Sequence, residues 1–153
     1  MPITVADARP DSAEAVQLLT ELDVHLAGQP YPQESRHALS IDRLIREGVA
    51  FFVTRHEGQL AGCGGLKLFG REYGEVKRMY VRPDYRGFGL GKAMLNHLAE
   101  HARERQVRVL RLETGIYQTE AMGLYEGFGF RRRPPFGEYK DDPLSAYYEK
   151  TIA

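Results

Sequence analysis

Three glycines within five residues, Gly87, Gly89 and Gly91, stand between a strand-like run and a helix-like one. Val76 to Val81 is rich in β-branched and aromatic residues. Beyond the turn, Leu90, Ala93, Met94, Leu95, Leu98, Ala99 and Ala102 recur at helical spacing. Strand, glycine turn and helix in that order commit this part of the chain to α/β architecture. Glycine lets backbone approach a diphosphate closely. The N–H groups of the first helical turn, from about Phe88 to Lys92, then point at the anion, and the helix dipole adds to the attraction. Arg86 and Lys92 add positive charge.

Three phosphate-holding designs place glycines before a helix, and they separate on single positions. The Walker loop needs Gly-x-x-x-x-Gly-Lys-Ser/Thr. Gly91-Lys92 fits its end, but Arg86 stands where the first glycine belongs, and Ala93 replaces the metal-binding hydroxyl. The dinucleotide fingerprint Gly-x-Gly-x-x-Gly fails too: its last position falls on Lys92 counted from Gly87, and on Met94 counted from Gly89. The third pattern, Arg/Gln-x-x-Gly-x-Gly/Ala, is met by Arg86, Gly89 and Gly91. The competing reading is a glycine-rich turn that merely enters an ordinary helix.

The rest of the chain alternates in the same way. Ile3 to Ala6 reads as a strand. Asp11 or Ser12 caps a helix with Glu14 in its first turn, and Val16, Leu18, Leu19, Leu22 and Leu26 give it an apolar stripe. Gly28 to Pro32 breaks it. Ser35 to Glu47 reads as a second helix closed by Gly48. Val49–Thr54, Leu60–Phe69 and Glu75–Val81, joined by tight turns, read as an antiparallel meander. Val107 to Leu112 is a strand, Gln118 to Gly127 a short helix, and Phe128-Gly129-Phe130 leads into a further strand before a last one from Ala146 to Ile152. No internal repeat or linker interrupts the 153 residues, so one domain, 1–153, is expected.

Composition excludes several classes. Lys plus Arg equal Asp plus Glu at 21 each, which argues against a general nucleic-acid binder. Cys63 is the only cysteine, so no disulfide forms within the chain, and its apolar, glycine-rich strand makes it a core residue. His97 and His101 have a zinc-compatible spacing but lack the Glu of a His-Glu-x-x-His motif, and an exposed helix face is the better reading; no metal is expected. No signal-like segment opens the chain and no run of ~20 apolar residues crosses a membrane, so a cytoplasmic protein is expected.

The run Val76-Lys77-Arg78-Met79-Tyr80-Val81-Arg82-Pro83-Asp84-Tyr85-Arg86-Gly87-Phe88-Gly89-Leu90-Gly91 resembles the central motif of the GNAT (GCN5-related N-acetyltransferase) superfamily. Ala121-Met122-Gly123-Leu124-Tyr125-Glu126-Gly127-Phe128-Gly129-Phe130 is similar to its second motif, Ala-x-x-Leu-Tyr-x-x-x-Gly-Phe. The two motifs occur in the family's order. The first half, where acceptor specificity usually resides, matches by pattern alone, in the manner of small bacterial stand-alone members. The resemblance implies a GNAT-like acyl-CoA N-acyltransferase fold: a mixed, largely antiparallel twisted sheet of about six to seven strands flanked by about four helices. It implies acetyl-CoA as acyl donor, entering a V between the strands at Glu75–Val81 and Val107–Glu113. Backbone groups of Met79, Tyr80 and Val81 would pair with the pantetheine arm like an added strand. A bulge in this strand would aim an N–H at the thioester carbonyl. A homodimer is also common among such proteins.

Direct attack of an amine on the thioester needs a base, because an alkylammonium has a pKa of ~10.4. Glu75, at the start of the central strand, is the first candidate, and Glu113, at the end of the facing strand, the second. In a regular strand Glu75, Lys77, Met79 and Val81 share one face; the alternative for Glu75 is a plain ion pair with Lys77 or Arg78. Tyr125 matches the family's tyrosine that protonates or contacts the leaving sulfur; otherwise it is a half-buried helix residue bonded to backbone. Gln118 stands near the place of an Asn that holds the pantetheine amide. Tyr31, Glu34 and Tyr139 are candidates to line a pocket for a small cationic or amphoteric amine. The function implied is N-acetylation of a small-molecule amine by direct transfer in a ternary complex. The alternatives are a protein (lysine or N-terminal) acetyltransferase, a non-catalytic CoA-binding module, and a nucleotide-phosphate protein.

Overall fold

In the computed structural model, which describes residues 3–153, the apolar runs assemble into one seven-stranded sheet with helices packed on both faces. The strands are β1 (Ile3–Asp7), β2 (Ala50–His56), β3 (Gln59–Phe69), β4 (Tyr73–Val81), β5 (Val109–Gly115), β6 (Arg131–Arg132) and β7 (Ser145–Thr151). The helices are α1 (Ala13–Ala27), α2 (Ile41–Arg46), α3 (Leu90–Glu104) and α4 (Thr119–Phe128). The sheet order is β1-β2-β3-β4-β5-β7-β6, and every pair is antiparallel except β4–β5. This is the expected GNAT-like architecture, with the β2–β3–β4 meander at its centre.

Each face buries its own core. On one face Met94, Leu95 and Leu98 of α3 pack on Leu66, Val76, Leu110, Leu112 and Tyr148. Leu95, Leu98 and Leu110 are fully buried, and burying such side chains contributes about 1.5–3 kcal/mol each. On the other face Leu18, Leu19 and Leu22 of α1 and Leu44 of α2 cover Phe51, Val53 and Cys63. His97 and His101, expected on an exposed face, instead set their rings edge-on against Phe52, at 4.5 and 5.5 Å between centroids.

The expected helix over 35–47 is only half formed. Gln33–Ser35 makes a single 3-10 turn, and α2 begins at Ile41. Ser40 is the reason for the late start: it caps α2, its Oγ accepting from the Arg43 N–H. Arg36 turns back instead and donates to the carbonyls of Leu26 and Gln29 at the end of α1. Both contacts hold the intervening chain out of helix.

β4 is not regular either. Lys77 pairs with Gly65 and Tyr80 with Cys63, so Arg78 and Met79 together oppose Gly64. Arg78 has φ 54°. This is a β-bulge, and it reverses the alternation: Glu75 and Lys77 stay on one face, while Met79 turns to the α3 core. Gly62 lies against the bulge, and a methyl group there would collide with the Tyr80 carbonyl oxygen. Gly62→Ala is expected to lower stability by about 1–3 kcal/mol. A urea titration with unchanged slope and a lower midpoint would bear this out; an unchanged midpoint would contradict it.

Candidate active site

β4 and β5 pair only at Gly74–Leu110 and Glu75–Arg111 and then part. The backbone edge of β4 beyond Glu75 is therefore left without a strand partner on this side. Two adjoining cavities open in the gap, of ≈ 610 and ≈ 260 Å³. Both are lined by Leu22, Met79, Gln118, Ala121 and Tyr125, so these residues form the boundary between them.

The larger cavity lies over the glycine turn. Of the residues expected to hold the donor, Met79, Tyr80, Val81, Arg86, Gly87, Gly89, Leu90, Gly91, Lys92, Gln118 and Tyr125 all line it. Gly87 and Gly89 have φ 88° and 86°, and nothing lies within 4 Å of where a Cβ would stand on either. Gly89 is the N-cap of α3, supplies no side-chain cap, and no acid occupies the first turn. The first N–H groups of α3 thus open onto the cavity without intrahelical partners. Gly91 has a different reason: a Cβ there would meet Leu124 Cδ2 at 2.7 Å, so its smallness lets α3 and α4 approach. Phe88 lies outside the cavity wall, its half-exposed ring 4.7 Å from that of His56; only its backbone faces the turn.

Arg86 donates to the Val81 carbonyl and pairs with Glu120 at 3.1 Å. Glu120, which the sequence reading did not anticipate, is mostly exposed, and such a pair contributes about 0–1 kcal/mol. An arriving diphosphate therefore competes readily for the guanidinium. Gln118 accepts a contact from His25 through Oε1 at 3.2 Å, while its Nε2 is buried with no partner among the described residues. A buried amide donor without a partner costs free energy until an acceptor reaches it. Open glycine floor, free helix N–H groups, an arginine held only by a weak surface pair and a backbone carbonyl, and an orphan amide donor together fit the diphosphate and amide-bearing arm of coenzyme A.

The smaller cavity gathers ionisable groups. Glu75 Oε2 accepts from the Tyr139 hydroxyl and forms an ion pair with Lys77 at 2.8 Å. Lys77 also reaches the Tyr139 oxygen at 3.1 Å. Glu113 accepts from Ser145 Oγ at 2.7 Å and has no basic partner within ion-pair distance among the described residues. Burial pushes its carboxyl up to about 7, only partly offset by the Ser145 hydrogen bond. Burial, with the nearby Glu113 charge second, also raises the Tyr125 phenol above its ordinary range, so it stays protonated at neutral pH. The Tyr125 hydroxyl makes no hydrogen bond to another described residue, and Tyr125 lines both cavities.

Tyr31 lines both the cavity and its rim: its hydroxyl accepts from the Tyr117 N–H at 2.8 Å. Glu34 does not join it. It stands exposed on the 3-10 turn and lines neither cavity, and the buried Ser35 occupies the wall instead. Ser35 Oγ donates to Asp142 Oδ2 at 2.6 Å, and His37 meets the Tyr139 ring edge-on at 5.2 Å. These contacts join the α1–α2 loop to the β6–β7 loop across the smaller cavity. Burial lowers the His37 pKa, so its ring is mainly neutral at pH 7. Cys63 is buried core, its thiol pushed up to about 12 by burial. No group of three or more His, Cys, Asp or Glu among the described residues is placed to hold a metal ion. No helix among them is long and apolar enough to cross a membrane.

Ser35, His37, Asp142 and Ser145 were not candidates in the sequence. The signal that would have found His37 is Ser40: as an N-cap it leaves Arg36–Leu39 outside the helix and free to line a wall.

Comparison with known proteins bears directly on this geometry. Residues 16–130 match the Acetyltransferase (GNAT) family. The chain is 41% identical over 151 residues to IAA acetyltransferase of Azospirillum brasilense, covering 98% of each chain. It is 34% identical over 146 residues to the uncharacterized N-acetyltransferase YsnE of Bacillus subtilis (strain 168), covering 93% of this chain and 97% of that one. A crystal structure from Klebsiella pneumoniae subsp. pneumoniae MGH 78578, assigned as an acyl-CoA N-acyltransferase, superposes with TM-score 0.82 at 35% identity over 99% of this chain and 98% of that one. A GNAT family acetyltransferase from Elizabethkingia anophelis with acetyl-CoA bound shares the fold, with TM-score 0.69 at 18% identity over 99% of each chain. The turn, the open V and these relatives agree: the chain belongs to the GNAT family and is an acetyl-CoA-dependent N-acetyltransferase.

Proposed function

We propose that this enzyme acetylates the amine of a small molecule, with donor and acceptor bound side by side. The observation that carries the reading is the small, partly covered second cavity: two loops joined by Ser35–Asp142 and His37–Tyr139 border it, and its ≈ 260 Å³ suits a small molecule better than a peptide. A relative that is 41% identical and named IAA acetyltransferase points the same way.

Glu113 is the base in this reading. A carboxyl near 7 is half ionised at neutral pH and takes a proton from an ammonium more readily than one near 4.5. Glu75, the first candidate by sequence, already shares its Oε2 with Lys77 and Tyr139 and organises that side of the wall. Glu113 accepts the first proton of the acceptor ammonium. The amine nitrogen then bonds to the acetyl carbon, and the carbon–sulfur bond breaks. Tyr125 gives its proton to the departing sulfur, and the second nitrogen proton restores the phenol.

Tyr125→Phe is expected to lower kcat by about 10²-fold with little change in acetyl-CoA affinity, the low end of acid catalysis because a thiolate leaves easily. A kcat within twofold of the parent would make Tyr125 a packing residue only. The reading as a whole is tested by CoA thiol release with free amino acids, polyamines and peptides as acceptors. Turnover of small amines is the expected result; turnover of peptides alone would overturn it.

A further inference from the structure

The charges lining the smaller cavity fall into two internally balanced pairs and two that are left over. Arg78 pairs with Asp23 at 2.7 Å, and Lys77 with Glu75 at 2.8 Å. Arg36 donates to two carbonyls, Leu26 and Gln29, at 2.9 and 3.0 Å, and has no carboxylate partner within ion-pair distance among the described residues. Two of its five donors are used there, and its positive charge is not matched. Its guanidinium lies 5.9 Å from the centre of the Tyr31 ring, and the hydroxyl end of that ring reaches Tyr117, just past the end of β5. Glu113, two residues before Gly115 on the same strand, is the unmatched acid. The cavity thus presents one uncompensated cation and one uncompensated anion in its lining, together with the Tyr31 ring. Unpaired charges in a partly closed cavity carry a desolvation cost that a ligand of opposite polarity offsets. An amine alone would offset only the acid.

We infer that the acceptor is an amino acid whose carboxylate is taken by Arg36 and whose amine is delivered to Glu113. Leu22, Leu26 and Leu39 line the same cavity beside the polar Ser35, His37 and Thr114, and the leucines give an apolar side chain a surface to pack on. This inference rests on the small-molecule reading above and names the acceptor class within it. Arg36 has two roles here: it ties the extended segment to the end of α1, and it sets specificity.

The test uses matched acceptors that differ only at the carboxylate: leucine, leucinamide and 3-methylbutylamine, with phenylalanine, phenylalaninamide and phenethylamine as a second series. CoA thiol release gives kcat/KM for each. The amino acids are expected to exceed their amides and decarboxylated amines by roughly 10- to 100-fold, the effect of one charge-assisted contact, carried mainly in KM. In Arg36→Ala the ratio of leucine to leucinamide is expected to collapse toward one. Should that variant fail to fold, the two series on the parent enzyme decide the question alone. Amides and amines turning over as well as the acids would overturn the amino-acid inference and leave the small-molecule reading standing. An enzyme that binds acetyl-CoA but acetylates none of the six, yet acetylates another small amine, would also overturn it. Turnover of peptides alone would overturn both.

Discussion

Glu113→Gln is expected to lower kcat by roughly 10²- to 10⁴-fold, the range of a lost general base, while acetyl-CoA affinity stays within about twofold. The side chain keeps its shape and its Ser145 neighbour but can no longer take a proton. In the parent enzyme kcat/KM is expected to rise with pH through about 7, as Glu113 ionises, and the variant loses that limb. The same residue carries a stability signature of definite sign. Its folded pKa lies above the ordinary 4.5, so the fold is favoured while the carboxyl is protonated and loses stability as pH rises from about 4.5 through about 7. Gln does not ionise, so Glu113→Gln is expected to match the parent near pH 4 and to exceed it by about 3 kcal/mol at pH 8. A variant that gains stability at high pH while losing turnover is the pattern of a functional buried acid. Glu75→Gln serves as the comparison. It breaks the pair with Lys77 and is expected to cost stability at neutral pH, with a smaller loss of rate. A large kcat loss in Glu75→Gln with near-normal rates in Glu113→Gln would transfer the base to Glu75.

The second large effect belongs to the donor turn. Gly89→Trp is expected to weaken acetyl-CoA binding by at least roughly 10²-fold, the loss of one or two charge-assisted hydrogen bonds. Gly89 holds φ 86°, where a side chain costs about 1–2 kcal/mol, and the indole would occupy the open space before the first N–H groups of α3. Phe88→Ala removes a larger side chain from the adjacent position, but that ring packs on His56 away from the cavity. Its acetyl-CoA affinity is expected to stay within about threefold. Calorimetric titration of both variants separates the cases; equal losses would mean that the turn acts through general destabilisation.

The contrast between these two sites shows what a linear sequence carries. The backbone geometry of the glycine turn was legible because its causes are local: Arg86, Gly87, Gly89 and Gly91 lie within six residues, and helix entry and positive φ leave marks in residue type. Tyr125 was legible by its motif, and the structure places it at the junction of both cavities. The acceptor side is built from distant contacts. Ser35 meets Asp142 across 107 positions and Tyr139 meets Glu75 across 64, and no periodicity announces either. The bulge at Arg78–Met79 depends on Gly64 opposite it, in another strand. The segment after Ser35 carries helix-compatible residues, but the Ser40 cap and the backward reach of Arg36 prevail over that propensity. Glu34 was a candidate by position in the loop, and its exposure followed from where that 3-10 turn faces.

The central claim is that the V between β4 and β5 receives acetyl-CoA through the glycine turn. Calorimetric titration of the purified chain with acetyl-CoA tests it most directly. The account predicts saturable binding of one acetyl-CoA per chain, displaced by CoA and not by ATP at equal concentration. No saturable binding at millimolar acetyl-CoA, or displacement by ATP as effective as by CoA, would contradict it.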